Sequence, residues 1–252
     1  MALTTNSLRV GIVGSGRVGT ALAAGLRRAG LEVDGPVGRG EAPRRCHAVV
    51  LCVPDAEIPA AAAQVAGAAP LIGHTSGATP LAALAAAGGA RFGLHPLQTV
   101  PEGSGAAVFE GAGCAVAGST PEALAVAGEL AGALGMTPFE IDDDGRAAYH
   151  AAATAASNFL VTLLGAAEAI AAGADLEPER ARALLAPLAR RTVDNVARLG
   201  PERALTGPVA RGDEATIEAQ RLAVGDAAPD LLELFDELVN QTRLLASRGV
   251  RS

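Results

Sequence analysis

Short runs of β-branched and apolar residues alternate with alanine-rich stretches along the first half of the chain. Val10–Val13, Glu32–Val37, Ala48–Val53, Leu71–His74, Arg91–Leu94, Cys114–Ala117 and Phe139–Ile141 read as strands. Helical punctuation lies between them. Thr79-Pro80 marks an N-cap and first turn closing at Gly88, and Thr120-Pro121 does the same ahead of Gly135. Strands spaced by helices predict right-handed βαβ units and a mainly parallel sheet, an α/β fold. Beyond Asp142-Asp143-Asp144-Gly145 the strand signals stop. From Arg146 to Arg248 the spacing is helical: one long stretch runs to Gly173, and another runs from Pro178 to Leu199, which Pro187 is expected to kink or divide. Pro229 opens a last amphipathic helix carrying Leu231, Leu234, Phe235, Leu238 and Leu245. The acidic run is taken as the boundary between an α/β domain, 1–144, and an all-α domain, 145–252.

Composition narrows the choice of partners. The 252 residues are 50% hydrophobic but only 2% aromatic, so Ala, Leu and Val must fill the core through closely packed elements. A net charge of −7 argues against nucleic acid or an anionic membrane surface as the main partner. All 20 basic residues are Arg. Lysine Schiff bases, a phosphate-loop lysine and a lysine general acid are therefore excluded. Cys46, Cys52 and Cys114 are odd in number and form no CxxC pair, which fits a reducing compartment and a cytoplasmic protein. Cys52, inside an apolar run, reads as a buried small hydrophobe. Met1 to Arg9 is polar, so no signal peptide is expected. The segment Ala151–Ala167 lacks charge but carries Thr154, Ser157, Asn158 and Thr162, and reads as a buried soluble helix rather than a membrane span.

The strongest motif is Gly14-Ser15-Gly16-Arg17-Val18-Gly19, placed directly after the first strand and opening a helix. Gly14 permits the tight turn, Gly16 lets backbone approach a pyrophosphate, and Gly19 lets helix and strand pack closely. The helix N-terminus then offers free N–H groups to an anion. This arrangement predicts a Rossmann-like dinucleotide site. An NAD-specific fold places a carboxylate at the end of the second strand, for the ribose hydroxyls. Here that position holds Arg39, a guanidinium shaped to grip a 2′-phosphate, so NADP is the expected cofactor.

Three of the four histidines fall in suggestive places. His74 and His95 stand at carboxyl ends of predicted parallel strands, where open α/β sheets bind ligands. His150 begins the long helix, and shares a face with Thr154 and Asn158 at i, i+4 and i+8, with Ser157 beside them. The only tyrosine, Tyr149, is expected to point about 100° away from His150. His47 reads as a strand-entry residue. A second polar cluster runs from Ala204 to Asp213. Thr206 and Arg211 could take a substrate carboxylate; alternatively Asp213 caps the next helix and Arg211 pairs with it. No carboxylate pair or Ser/His/Asp trio suits hydrolysis, and no histidine pair has metal spacing.

These segments together resemble a bacterial family that pairs a Rossmann-like domain with a helical domain of unknown function. The matching stretches are Gly14–Leu22, Cys52–Asp55, His74–Gly77, His95–Thr99, Tyr149–Leu164 and Ala204–Asp213. More distantly the chain is similar to the 6-phosphogluconate-dehydrogenase-like superfamily, including ketopantoate reductase, pyrroline-5-carboxylate reductase and prephenate dehydrogenase. The resemblance implies an NADP-dependent reductase with its active site between the halves, and a helical half that forms a homodimer. Thr154 stands where ketopantoate reductase has lysine, ahead of Asn158, which leaves histidine as the proton donor.

The expected activity is therefore reduction of a small 2-oxo acid, ketopantoate first, or of an imine. The rivals are a prephenate-like dehydrogenase, for which His95-Pro96 speaks, and a non-catalytic NADP-binding sensor. His150, then His95, is the expected acid, with Asn158 beside them. Val53, Pro54 and Ser76 join the glycine turn and Arg39 as cofactor contacts. His74, Gln98, Thr154, Ser157, Thr206 and Arg211 are the candidate substrate contacts, and no metal is expected.

Overall fold

The computed structural model describes residues 8–249, so the polar segment read at the N-terminus lies mostly outside the described residues. Seven strands form one sheet in the order β2-β1-β3-β4-β5-β6-β7. They are β1 (Arg9–Val13), β2 (Glu32–Val37), β3 (Ala48–Leu51), β4 (Leu71–His74), β5 (Ala90–Leu97), β6 (Gly113–Gly118) and β7 (Thr137–Glu140). All neighbours pair in parallel except β5 and β6. The Rossmann-like α/β fold expected from the alternation is the one observed. Because β1, β3, β4 and β5 run the same way, Gly14, Val53, His74 and His95 come to one edge of the sheet.

The central strands β1, β3 and β4 read as apolar runs because helices cover both faces, whereas β2 and β7, last in the order on either side, are less buried. Alternate residues feed two cores. Ala48, Val50, Ile12, Phe92 and Leu94 pack in one cluster with Leu22 and Leu26 of α1 (Arg17–Arg28) and with α3 (Pro121–Ala133). Val49, Leu51, Val13 and Ile72 pack in the other with Ile58 and Ala62 of α2 (Ile58–Gln64). α1 buries Gly19, Leu22, Ala23 and Leu26, an i, i+3, i+4, i+7 stripe, and Arg27 and Arg28 in its last turn complement the helix dipole. α3 begins as its sequence predicts, with the Thr120 side chain accepting from the Ala123 N–H. The Thr79-Pro80 signal works differently. Leu81–Ala87 is a 3₁₀ stretch, not an α-helix, and the Thr79 hydroxyl bonds Ser76 instead of capping it. His47 is the strand-entry residue expected, with Nδ1 accepting from the Arg9 N–H.

Two compact units divide at Ser157 and Asn158, not at the acidic run. The boundary moves because α4 (Arg146–Thr154) belongs to the sheet unit: Arg146 is buried and pairs with Asp143, and Tyr149 packs edge-on against Phe139 of β7. The helical unit holds α5 (Leu160–Ala171), α6 (Pro178–Leu199), the short α7 (Pro201–Ala204) and α8 (Pro208–Arg211), α9 (Glu214–Ala227) and α10 (Leu232–Gly249). α6 contains Pro187 without dividing. The buried helix expected over Ala151–Ala167 is instead largely open: the stretch Arg146–Ala174 is long and apolar enough to cross a membrane, and only 6% of its most apolar window is buried.

Candidate functional site

The glycine turn closes against backbone on one side and is open on the other. Gly14 has φ +104°, a conformation that side chains rarely adopt, and a Cβ there would also strike the Cys52 carbonyl. A Cβ on Gly19 would collide with the Gly14 carbonyl, so those two glycines make the turn itself. Gly16 differs: a Cβ there would meet nothing within 4 Å. It is also the N-cap of α1 and supplies no side-chain cap, so the first-turn N–H groups face outward beside exposed Ser15 and Arg17. A twelve-residue helix with an uncapped, unobstructed N-terminus fits a pyrophosphate. Arg39 follows β2 at the same edge, but it is not free. Its guanidinium lies 2.6 Å from Glu57 Oε1 in an exposed ion pair.

The loops after β3 and β4 are tied together through one hydroxyl. Ser76 Oγ lies 2.8 Å from Asp55 Oδ2 and 2.9 Å from Thr79 Oγ1, and accepts from the Ala78 and Thr79 N–H groups. Ser76 is buried, so its part is to hold these loops rather than to meet a cofactor as the sequence suggested. His74 is likewise corrected. It is wholly buried, and its Nδ1 accepts from the Ser76 N–H, which puts the proton of the neutral ring on Nε2. Nε2 makes no hydrogen bond of full geometry, although the Pro80 carbonyl is close enough to favour a proton there. Burial, helped by the Arg146 charge, lowers the His74 pKa to about 4. Gly93 pairs with His74 across β4 and β5, and the Arg146 Nη2 atom lies 3.0 Å from where a Gly93 side chain would begin. The buried guanidinium thus lies over bare backbone, held at Nε by Asp143 at 2.6 Å.

His95 and His150 come together. Their rings are 6.0 Å apart, and both rest on Gly77: a Cβ there would be 2.8 Å from His95 Cε1 and 2.8 Å from His150 Cδ2. The residue that sequence reasoning missed is Tyr149, whose hydroxyl lies 2.6 Å from His95 Nδ1. It does lie one helix step from His150, but that step turns it onto β5. Its sequence signals were being the only tyrosine and opening the stretch Tyr149–Leu164. Burial, then the neighbouring His150, lowers the His95 pKa to about 4, and burial raises Tyr149 to about 12. Burial likewise raises the Cys52 thiol to about 12, an inert group.

The remaining candidates are more dispersed. Val53 is half-buried and Pro54 exposed beside the glycine turn. Gln98 is exposed and bonds the neighbouring Thr99 N–H. The long helix does not carry a straight polar stripe. Ala155–Phe159 is a π-helical turn, whose extra residue takes Asn158 off the line through His150 and Thr154. The Ser157 hydroxyl bonds back to the Ala153 carbonyl. Asn158, Thr206 and Arg211 belong to the helical unit. There, Asp213 caps α9 by accepting from the Thr216 N–H, while Thr206 and Arg211 are exposed. The capping alternative describes Asp213.

Known structures share this fold across almost the whole chain. A Bacteroides fragilis protein described as an NADP oxidoreductase has a TM-score of 0.80 at 20% identity, covering 95% of this chain and 99% of its own. A Thermotoga maritima protein follows at 0.71 and 25% identity, covering 95% and 98%. The 1-pyrroline-5-carboxylate reductase of Streptococcus pyogenes gives 0.65 at 13%, covering 94% and 99%. No curated protein matches the sequence. A family model matches residues 112–242, more than half of the chain, and so the protein belongs to the family described as Domain of unknown function (DUF2520).

Proposed function

We propose that the protein is an NADPH-dependent reductase of a small carbonyl or imine compound. The observation that carries this reading is the convergence of His95, Tyr149 and His150 on Gly77, at the edge of the sheet that also bears the glycine turn. The open face at Gly16, the uncapped α1 terminus and Arg39 are the residues that would hold the cofactor. When bound, NADPH supplies a hydride. The chain then has to orient the acceptor atom and deliver one proton to it. His95, neutral and tied to Tyr149, suits the first task. His150, the neighbouring imidazole, is assigned the second. Names of similar folds, an NADP oxidoreductase and a pyrroline-5-carboxylate reductase, support a C=N or C=O substrate by analogy. A 2-oxo acid, ketopantoate first, and cyclic imines are the compounds to try.

Oxidation of NADPH with a panel of 2-oxo acids and cyclic imines tests the reading. His150→Ala should lower turnover about 10²- to 10⁴-fold on the best substrate while leaving NADPH affinity nearly unchanged. Tight NADPH binding with no turnover on any compound would replace the reductase with a cofactor-binding sensor. We further propose that the working form is a homodimer assembled through the helical unit, because that unit leaves large apolar side chains such as Val161, Leu188 and Leu222 uncovered.

A further inference from the structure

The contact between Tyr149 and His95 admits two arrangements of protons. Both groups are neutral near pH 7, since one titrates at about 4 and the other at about 12. In the first, the phenol O–H donates to Nδ1 and the ring proton sits on Nε2. In the second, Nδ1–H donates to the phenol oxygen, and the O–H must find another acceptor. Among the described residues the Tyr149 hydroxyl has no other hydrogen bond, so only the first arrangement satisfies it within the protein. The rings around the pair fix its geometry. Phe139 meets Tyr149 edge-on at 5.8 Å, His95 meets it edge-on at 5.5 Å, and the His150 ring lies 6.0 Å from that of His95. The Cε1–Nε2 edge of His95 faces Gly77, and Nε2 has no hydrogen-bond partner among the described residues.

We propose that Tyr149 is a positioning residue that holds His95 as the Nε2–H tautomer above bare Gly77, giving the site a fixed donor for a carbonyl oxygen or imine nitrogen. Gly77 is part of the device, since any side chain there would push on both imidazoles. The identity of the acceptor atom rests on the reductase reading; the tautomer does not.

The test is long-range ¹⁵N–¹H correlation of the four imidazoles at neutral pH without cofactor, with His95 assigned by its loss in His95→Gln. The wild-type ring should carry its proton on Nε2. Tyr149→Phe keeps the ring packing and removes the hydroxyl, so a bias of about fivefold, the worth of one neutral hydrogen bond, should disappear and leave a mixture. A wild-type proton on Nδ1 overturns the proposal without any variant, and so does a Tyr149→Phe spectrum unchanged at His95. NADPH affinity measured on the same samples judges the reductase reading separately: failure to bind would remove that reading while the tautomer result stood.

Discussion

The sheet unit and the helical unit bury their apolar residues very differently. In the sheet unit, Val10, Ile12, Leu22, Phe92, Leu94 and Leu130 are all fully enclosed between strands and helices. In the helical unit, the buried apolar residues are Ala166, Ala181, Ile217, Val224 and Val239. Larger side chains lie open instead: Val161 is 70% exposed, and Phe159 and Leu188 are each 63% exposed. Leu188 lies along an apolar groove of about 340 Å³ with Leu163, Leu185, Leu234 and Leu238. Helix ion pairs such as Arg182 with Glu168 hold this unit's polar surface, but exposed pairs contribute little. The first unit is stabilised by its own core. The second has the composition of a core and the exposure of a surface, the observation on which the proposed homodimer rests.

A charge placed on that groove separates the two cases most sharply. If Leu188 faces solvent, Leu188→Glu should change stability by less than about 0.5 kcal/mol. If a second copy covers it, the buried unpaired carboxylate should cost about 3–5 kcal/mol and dissociate the dimer. Light scattering should then move from about twice the 25.0 kDa chain mass to the chain mass itself. Phe92→Ala is the contrasting change in the sheet unit. It should cost about 3–5 kcal/mol at any protein concentration, because Phe92 is already enclosed by its own chain. A wild-type protein that scatters as a 25.0 kDa monomer at micromolar concentration would end the dimer proposal.

The same contrast explains what could be read in the sequence. Strands β1, β3 and β4 were legible because burial on both faces forces apolar runs, and the glycine turn because the positive φ of Gly14 and its contact with Gly19 lie within six residues. The α4 boundary was not legible. An Arg at a helix start after three aspartates looks solvated, and only the approach of Gly93 shows that Arg146 is buried on the sheet. Tyr149 and His95 are 54 residues apart, so no local spacing links them. The π turn at Ala155–Phe159 has no composition of its own, and it is what breaks the i, i+4, i+8 argument at Asn158. The uncharged segment Ala151–Ala167, with its polar Thr154, Ser157, Asn158 and Thr162, reads as a buried helix, whereas only 6% of the most apolar window of Arg146–Ala174 is buried.

Acid should act on the sheet unit first. His74 has a folded pKa of about 4 against an ordinary value of 6.5, so the folded state binds fewer protons in that interval. The stabilisation is complete above pH 6.5 and is lost as pH falls toward 4. Its size is roughly 3 kcal/mol for the fully buried ring, with His95 adding a smaller share because it is partly exposed. Urea midpoints followed from neutral pH to pH 4 should fall steeply in the wild type and less steeply in His74→Gln. Equal slopes would show that His74 does not titrate with folding.

The smallest effects concern the cofactor, and they should leave the helical unit untouched. Arg39 is the only basic side chain placed just beyond the end of β2, and its charge is engaged by Glu57 at 2.6 Å. That pair is exposed, with the Arg39 side chain 80% accessible, so holding it together is worth little and an incoming phosphate can displace the carboxylate. A charge-assisted contact from Arg39 to a 2′-phosphate is worth about 1.5–3 kcal/mol, which predicts a preference for NADPH over NADH of roughly 10- to 100-fold. Arg39→Ser should remove most of that preference by weakening NADPH alone. Glu57→Gln should act in the opposite direction, because the guanidinium no longer has a resident partner to leave. Its gain is limited to the worth of an exposed ion pair, about fivefold or less. Dissociation constants for both cofactors, with light scattering on the same samples, measure all three proteins together. Equal wild-type affinities for NADPH and NADH would remove Arg39 from the site. A Glu57→Gln protein that binds NADPH more weakly would show instead that Glu57 orients the arginine rather than competing for it.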